Sequence, residues 1–248
     1  MENNEQLLAV IERLRRNRFN AVLSKNAEDA TYKILEAIPP QASVGVANSV
    51  TVRQIGVLKA LKERGNMLID PVAPSYGLAE FHEETFMQTL RRSLNADVFL
   101  SGTNAVTEDG KLVNIDGLGN RVAGIIWGSG KSVVVVGRNK IVKNVDAAIY
   151  RIKNTITPTM AKTRQLKLPC AKAGRCVDCY VPKRACNITV IIEKKPELTE
   201  LTVVLVDEDL GLGWDIEWPN ERIDEIRRKY EQFDSSYTDV FSRYQEAM

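Results

Sequence analysis

An α/β fold, with a central and largely parallel sheet flanked by helices, is what this chain predicts, and three observations carry that prediction. Short apolar runs bounded by turn residues recur with helix-period segments between them, the pattern of parallel βαβ units. Residues 131–136 are almost pure valine, as a strand buried on both faces requires. The 248 residues, 44% hydrophobic and 27% charged, are ordinary for a globular chain long enough to bury a sizeable core.

Residues 1–40 read as N-terminal helices. Leu7, Leu8, Ile11, Leu14 and Phe19 fall close to helical spacing, and Arg13, Arg15, Arg16 and Arg18 lie mostly outside as a solvated face. A second helix opens at Ala27 behind the cap Asn26, runs through Leu35 and stops at Pro39 and Pro40. The α/β body is placed at 41–215. Its first strand is ASVGVA, residues 42–47, followed by the polar loop Asn48, Ser49, Val50, Thr51 and a helix over 52–64 closed by Gly65. A short strand at 67–70, a Pro- and Gly-containing loop at 71–78 and a helix at 80–94 with Phe81, Phe86 and Leu90 come next.

ADVFLSG, residues 96–102, is a strand, and the valine strand is ended by Gly137, Arg138, Asn139 and Lys140. The helix after it, 145–156, is expected to stop at Pro158. Strands at 188–193 and 201–207 follow, and Trp214, Trp218 and Pro219 pack the exit of the chain. The last segment, 216–248, holds a helix at 221–233 capped by Asn220. Its polar tail beyond Asp234 is read as mobile or as packed on a second subunit of a homo-oligomer.

Composition and charge exclude several classes. The net charge is +2, the pI about 8.3, and only 6% of residues are aromatic, with no basic face interleaved with aromatics, so no nucleic-acid partner is expected. No apolar stretch reaches the roughly 18 residues of a membrane helix. The N-terminus has acidic and polar residues where a signal peptide carries basic ones, and a cytoplasmic protein is expected. His82 is the one histidine; among Glu80, Glu83 and Glu84 it reads as a solvated helix residue. Its solitude excludes His-rich zinc sites and leaves a Ser-His-Asp mechanism hanging on one residue.

The stretch 101–124, SGTNAVTEDGKLVNIDGLGNRVAG, is the densest in Gly, Asn, Asp and Arg. Glu108, Asp109 and Gly110 form a hairpin tip. In DGLGN the glycines beside Asp116, Asn120 and Arg121 let amides and a guanidinium converge on one small anion, the alternative being a hairpin without ligand. Loops at the carboxyl ends of parallel strands are where ligands sit, so 48–51, 101–104 and 137–140 are expected to share a crevice. The ligand-binding set is Ser49, Thr51, Arg53, Gly102, Asn104, Gly117, Gly119, Asn120 and Arg121; Ser49 or Thr51 as a plain helix cap is the competing reading. Asp116 and Arg121 are the candidates for chemistry. Asp207, Glu208 and Asp209 could hold a cation or form a solvated strand end, and the GLG after them is too little for a dinucleotide fingerprint, so no nucleotide cofactor is expected.

All four cysteines, Cys170, Cys176, Cys179 and Cys186, fall within 17 residues at spacing Cys-x5-Cys-x2-Cys-x6-Cys. Clustered thiols in a reducing compartment point to metal ligands, for zinc or an iron-sulfur cluster, rather than to disulfides, the competing reading being four reduced cysteines with no ligand. Lys172, Arg175, Lys183 and Arg184 around them would partly neutralise the thiolates.

Taken together, ADVFLSGTNAVTEDGKLVNIDGLGNRVAG, VVVVGRNKIVKNVDAAIYRIKN and LPCAKAGRC with VDC and PKRACN resemble the LUD-domain proteins, the lactate utilisation family; VGVANSVTVRQIG and LVDEDLG also fit. The resemblance spans about Leu14 to Trp214, and the cysteine segment resembles a stand-alone subgroup. It implies a fold similar to ribose-5-phosphate isomerase, glucosamine-phosphate deaminase and coenzyme A transferases, with a four-cysteine insertion. Related members belong to a three-part system oxidising L-lactate to pyruvate beside an iron-sulfur partner, so an iron-sulfur or oxidoreductase partner protein is expected. The fold relatives place an acidic residue or a sugar-phosphate loop at the same crevice. No glutamate here lies in an obvious coenzyme A transferase motif.

Three functions follow as expectations. The first is a redox-related protein of 2-hydroxy-acid metabolism in which Arg121 clamps a substrate carboxylate, Asn120 and the Gly117 and Gly119 amides orient it, and the cysteines carry the metal. The second is an isomerase or hydrolase on a phosphorylated small molecule, with Asp116 as base and zinc as a staple. The third is a non-catalytic metabolite-binding subunit or sensor. Arg121→Ala is expected to weaken anion binding with little loss of stability.

Overall fold

The computed structural model describes residues 2–79, 83–234 and 237. His82 and Phe81, and the tail beyond Asp234 apart from Tyr237, lie outside the described residues.

The main sheet has six parallel strands in the order β1 (Asn20–Ser24), β10 (Glu200–Val206), β7 (Lys131–Gly137), β4 (Val98–Gly102), β2 (Val44–Val46), β3 (Leu68–Ile69). Alternation explains why its central strands are apolar throughout. Val134 and Val136 join Leu201, Val203 and Leu205 on one face, under α1 (Glu2–Arg16), with Leu7, Val10, Ile11 and Leu14. Val133 and Val135 join Val204 and Val206 on the other, under α2 (Ala27–Ala37) and α4 (Val57–Glu63). Each fully buried valine contributes about 1.5–3 kcal/mol relative to exposure. The βαβ prediction therefore holds, and the α/β class with it.

A second sheet of four strands, β8 (Ile141–Val142), β5 (Ala105–Thr107), β6 (Leu112–Asp116), β9 (Ile188–Ile192), grows from the expected hairpin. Gly110, at φ 81, turns its tip. Ala105, Val113, Ile115 and Val142 form a third core with α7 (Val145–Arg151) and α10 (Asn220–Asp234).

Four details differ from the sequence expectations. Strand β1 lies inside the segment read as helical; five residues at a sheet edge, partly exposed, carry too little alternation to announce a strand. Leu8 is 48% exposed, so the apolar stripe of α1 is completed by Val10 instead. The helix expected over 52–64 is two helices, α3 (Val50–Gln54) and α4, parted by Gly56 at φ 77, a left-handed conformation that suits glycine. Pro158 does not stop the helix begun at α7. A π-helical turn, Ile152–Ile156, comes first, and Pro158 then falls in the opening turn of α8 (Thr157–Thr163), where its missing N–H costs little.

A candidate anion-binding cavity

At the carboxyl ends of β2, β4 and β7 the chain encloses a cavity of about 630 Å³. Its floor is made by the three loops expected to share a crevice: residues 48–51, residues 102–104 and Lys140 all line it. The turn after β6 supplies one side through Asp116, Gly117, Asn120 and Arg121. Gly211 and Leu212, past the end of β10, close another.

Lys140 is the group at the centre. Its Nζ donates to Thr51 Oγ1 at 2.7 Å and to the Thr103 carbonyl at 3.1 Å, so one ammonium ties all three loops. The side chain is buried, and among the described residues no carboxylate pairs with it. Burial, and next the charge of Arg121, push its pKa down from 10.5 to about 7. Gly211, at φ 66, leaves room for this arrangement, since a Cβ there would lie 2.5 Å from Thr51 Oγ1 and 3.0 Å from Lys140 Nζ.

Arg121 sits in α6 (Asn120–Ala123) and turns its guanidinium inward. Nη1 donates to Asn114 Oδ1 at 2.9 Å, and Nη2 to Asn104 Oδ1 at 3.0 Å and the Ile115 carbonyl at 2.7 Å. Nε faces Asp116 Oδ2 at 3.4 Å. Burial lowers the Arg121 pKa while Asp116 raises it. Asp116 is itself held by the amides of Leu118 and Gly119, at 3.1 and 3.2 Å to Oδ1. The DGLGN turn thus folds around its own carboxylate, and the Gly119 amide is spent on it.

Of the sequence-predicted residues, Ser49, Thr51, Gly102, Asn104, Asp116, Gly117, Asn120 and Arg121 line the cavity. Ser49 also caps α3, its Oγ accepting from the Val52 amide at 3.3 Å. Gly119 and Arg53 are not among the lining residues. Arg53 pairs with Asp70 at 2.7 Å and lies 4.1 Å from the Tyr76 ring centre. Asp207 and Asp209 are spent on arginines: Arg138 reaches both at 3.0 Å, and Arg222 reaches Asp209 at 2.8 Å.

Sequence reasoning missed Lys140 as an individual residue and missed the outer wall. A lysine ending the loop after a buried valine strand was the available signal for the first. The wall joins distant segments and left no local signal. Arg164 holds the buried Asp234 through Nε at 2.7 Å and Nη2 at 3.0 Å, and donates to the Tyr76 hydroxyl at 3.1 Å. Burial raises the Tyr76 pKa.

The cysteine segment, between α8 and β9, supplies the rest of that wall: Pro182, Lys183, Arg184, Ala185 and Asn187 line the cavity. Asn187 N–H donates to the Asp116 carbonyl at 2.9 Å and its Nδ2 to the Gly117 carbonyl at 3.0 Å, docking the segment on the DGLGN turn. Arg184 braces the segment, donating to the carbonyls of Cys179 and Cys186 at 2.8 and 3.2 Å. All four cysteines are free thiols. Burial, then the neighbouring Cys179, Cys186 and Cys176, raise the Cys170 pKa, so the thiols share one neighbourhood. Among the described residues no group of three or more His, Cys, Asp or Glu side chains is gathered closely enough to hold a metal ion.

A family model described as LUD domain matches residues 7–206. Among solved structures the chain is similar to a DUF162 family protein from Deinococcus radiodurans, at 13% identity and a TM-score of 0.48, over 83% of this chain and 98% of that one. No curated protein matches. No helix among the described residues is long and apolar enough to cross a membrane.

Proposed function

The chain belongs to the LUD-domain family, and from that membership we propose that it binds a small organic anion, a 2-hydroxy or 2-oxo acid of the lactate and pyruvate class, in the cavity around Lys140. One observation carries this reading: the buried Lys140 and the part-buried Arg121 face one cavity where, among the described residues, Asp116 alone supplies a carboxylate. An unpaired buried ammonium is strongly disfavoured, and an anion entering the cavity is the counter-charge that relieves it. Thr51 and Asn120 add neutral polar groups to the lining. Because the donors of Arg121 are largely occupied by Asn104, Asn114, Ile115 and Asp116, its part is to set the potential and hold the loops. Lys140 makes the contact.

The four cysteines are the second half of the proposal. Cys170, Cys176, Cys179 and Cys186 are the donor set for zinc or an iron-sulfur cluster, a set of thiols suited to either. Their segment forms a wall of the cavity, which favours a role connected with the bound anion. An iron-sulfur cluster there would supply one-electron transfer beside the substrate, and an oxidoreductase partner would be its electron donor or acceptor. Zinc would supply a fold staple. Drawing the thiols to a common ion requires the segment to tighten around Arg184.

Metal analysis with a visible spectrum on anaerobically purified protein tests this half. Either iron with acid-labile sulfide or one colourless zinc is expected, the first marking electron transfer and the second a fold staple, and Cys176→Ser is expected to lose whichever is bound. Unchanged metal content in that variant would rule the site out. The anion site is tested by titrating L-lactate, pyruvate and phosphate calorimetrically: saturable binding of at least one is expected, and no heat from any of the three would overturn the reading.

A further inference from the structure

We propose that Lys140 is a nucleophile whose Nζ condenses with the carbonyl carbon of a small 2-oxo acid held in the cavity. The proposal rests on the anion-binding reading above and adds covalent chemistry to it. Four features of the site point to it. The amine lies in the cavity wall and is aimed by two fixed acceptors, Thr51 Oγ1 at 2.7 Å and the Thr103 carbonyl at 3.1 Å. Among the described residues no carboxylate locks it as an ion pair, which is how a merely structural buried lysine is ordinarily neutralised. Gly211 presents no Cβ against Nζ, so backbone bulk is withheld at the one atom that would react. Finally, desolvation and the neighbouring guanidinium of Arg121 leave a substantial neutral amine fraction near pH 7, the condition for an amine to attack a carbonyl.

The step balances without a further reactant. The neutral amine adds to the carbonyl carbon, forming a C–N bond while the C=O electron pair moves to oxygen. Thr51 Oγ1, already hydrogen-bonded to Nζ, passes a proton from nitrogen to that oxygen. A second proton, from solvent, lets the oxygen leave as water while the nitrogen lone pair forms C=N. The product is an iminium that retains one N–H, with no change of oxidation state, and hydrolysis reverses it. The iminium replaces the ammonium charge, so the substrate carboxylate keeps its counter-ion throughout.

The test is reductive trapping. Full-length protein is incubated with pyruvate and sodium borohydride, digested and mapped by mass spectrometry, while L-lactate and pyruvate binding are measured calorimetrically in parallel. A near-stoichiometric reduced pyruvate adduct on the peptide carrying Lys140 is expected. K140R, which keeps the positive charge, and K140M are both expected to lose it, with thermal melts confirming that each variant is folded. Adducts scattered over other lysines, or none at Lys140 while pyruvate binds, would overturn the nucleophile and leave the anion site standing. Absence of both binding and adduct would overturn the two readings together.

Discussion

At Lys140 the fold does something proteins rarely do with an ammonium: it buries it beside another cation and gives it a hydroxyl and a carbonyl in place of a carboxylate. From sequence, Arg121→Ala is expected to weaken anion binding and little else. With Asn104, Asn114, Ile115 and Asp116 all bonded to the guanidinium, its removal takes the counter-charge from Asp116 in a largely buried setting and leaves the Asp116, Asn104 and Asn114 side chains only their backbone amide donors. The variant is therefore expected to lose about 3 kcal/mol of stability as well as anion affinity, measurable by urea denaturation. Gly211→Ala is expected to cost about 1–3 kcal/mol and to weaken anion binding, because its Cβ would push Thr51 off Lys140 from a left-handed backbone position. A wild-type denaturation midpoint in that variant would contradict the packing described.

Among the elements, the strands other than β1 and the two-residue β8, and the DGLGN turn, were legible because their signals are local: short apolar runs for the sheets, Gly and Asx chemistry for the turn. Ser49, Thr51, Gly102 and Asn104 could be placed on one crevice from the carboxyl-end rule alone. The wall facing them could not. Arg164, which lines it, and the Tyr76 and Asp234 side chains it binds come from three segments that nothing local brings together. The cysteine segment was recognised for its thiols, while its place in the cavity wall depends on Asn187 reaching back to the DGLGN turn. Pro158 misled because a π-helical turn ahead of it lets the helix continue. The Arg164 to Asp234 pair, 10% and 0% exposed, is the joint on which α10 closes the wall. Asp234→Ala is expected to destabilise the protein by about 3–5 kcal/mol and to open the cavity, seen as a lower melting temperature and faster proteolysis of the C-terminal helix. An unchanged melting temperature would show that α10 is held elsewhere.

For the molecule as a whole, the parallel sheet and its two covering layers of helices follow from composition and period, and they fix where a ligand can sit. What the ligand is depends on charge, and charge couples the site to pH. The pKa of Lys140 is about 7 in the folded chain against an ordinary 10.5, so between those values the unfolded chain binds a proton that the folded one lacks. Stability therefore rises with pH through that window, and the penalty of the buried ammonium is fully present below it. An anion in the cavity favours the charged lysine and reverses the preference, so its binding takes up a proton near pH 7 and weakens as pH rises beyond. The most direct measurement is calorimetric titration of L-lactate into the wild-type protein near pH 7 in buffers of different ionisation enthalpy. A binding heat that varies with the buffer, in the sense of proton uptake, is expected, together with an affinity that falls as pH is raised. Binding with no proton uptake, or affinity indifferent to pH across Lys140's titration, would contradict it.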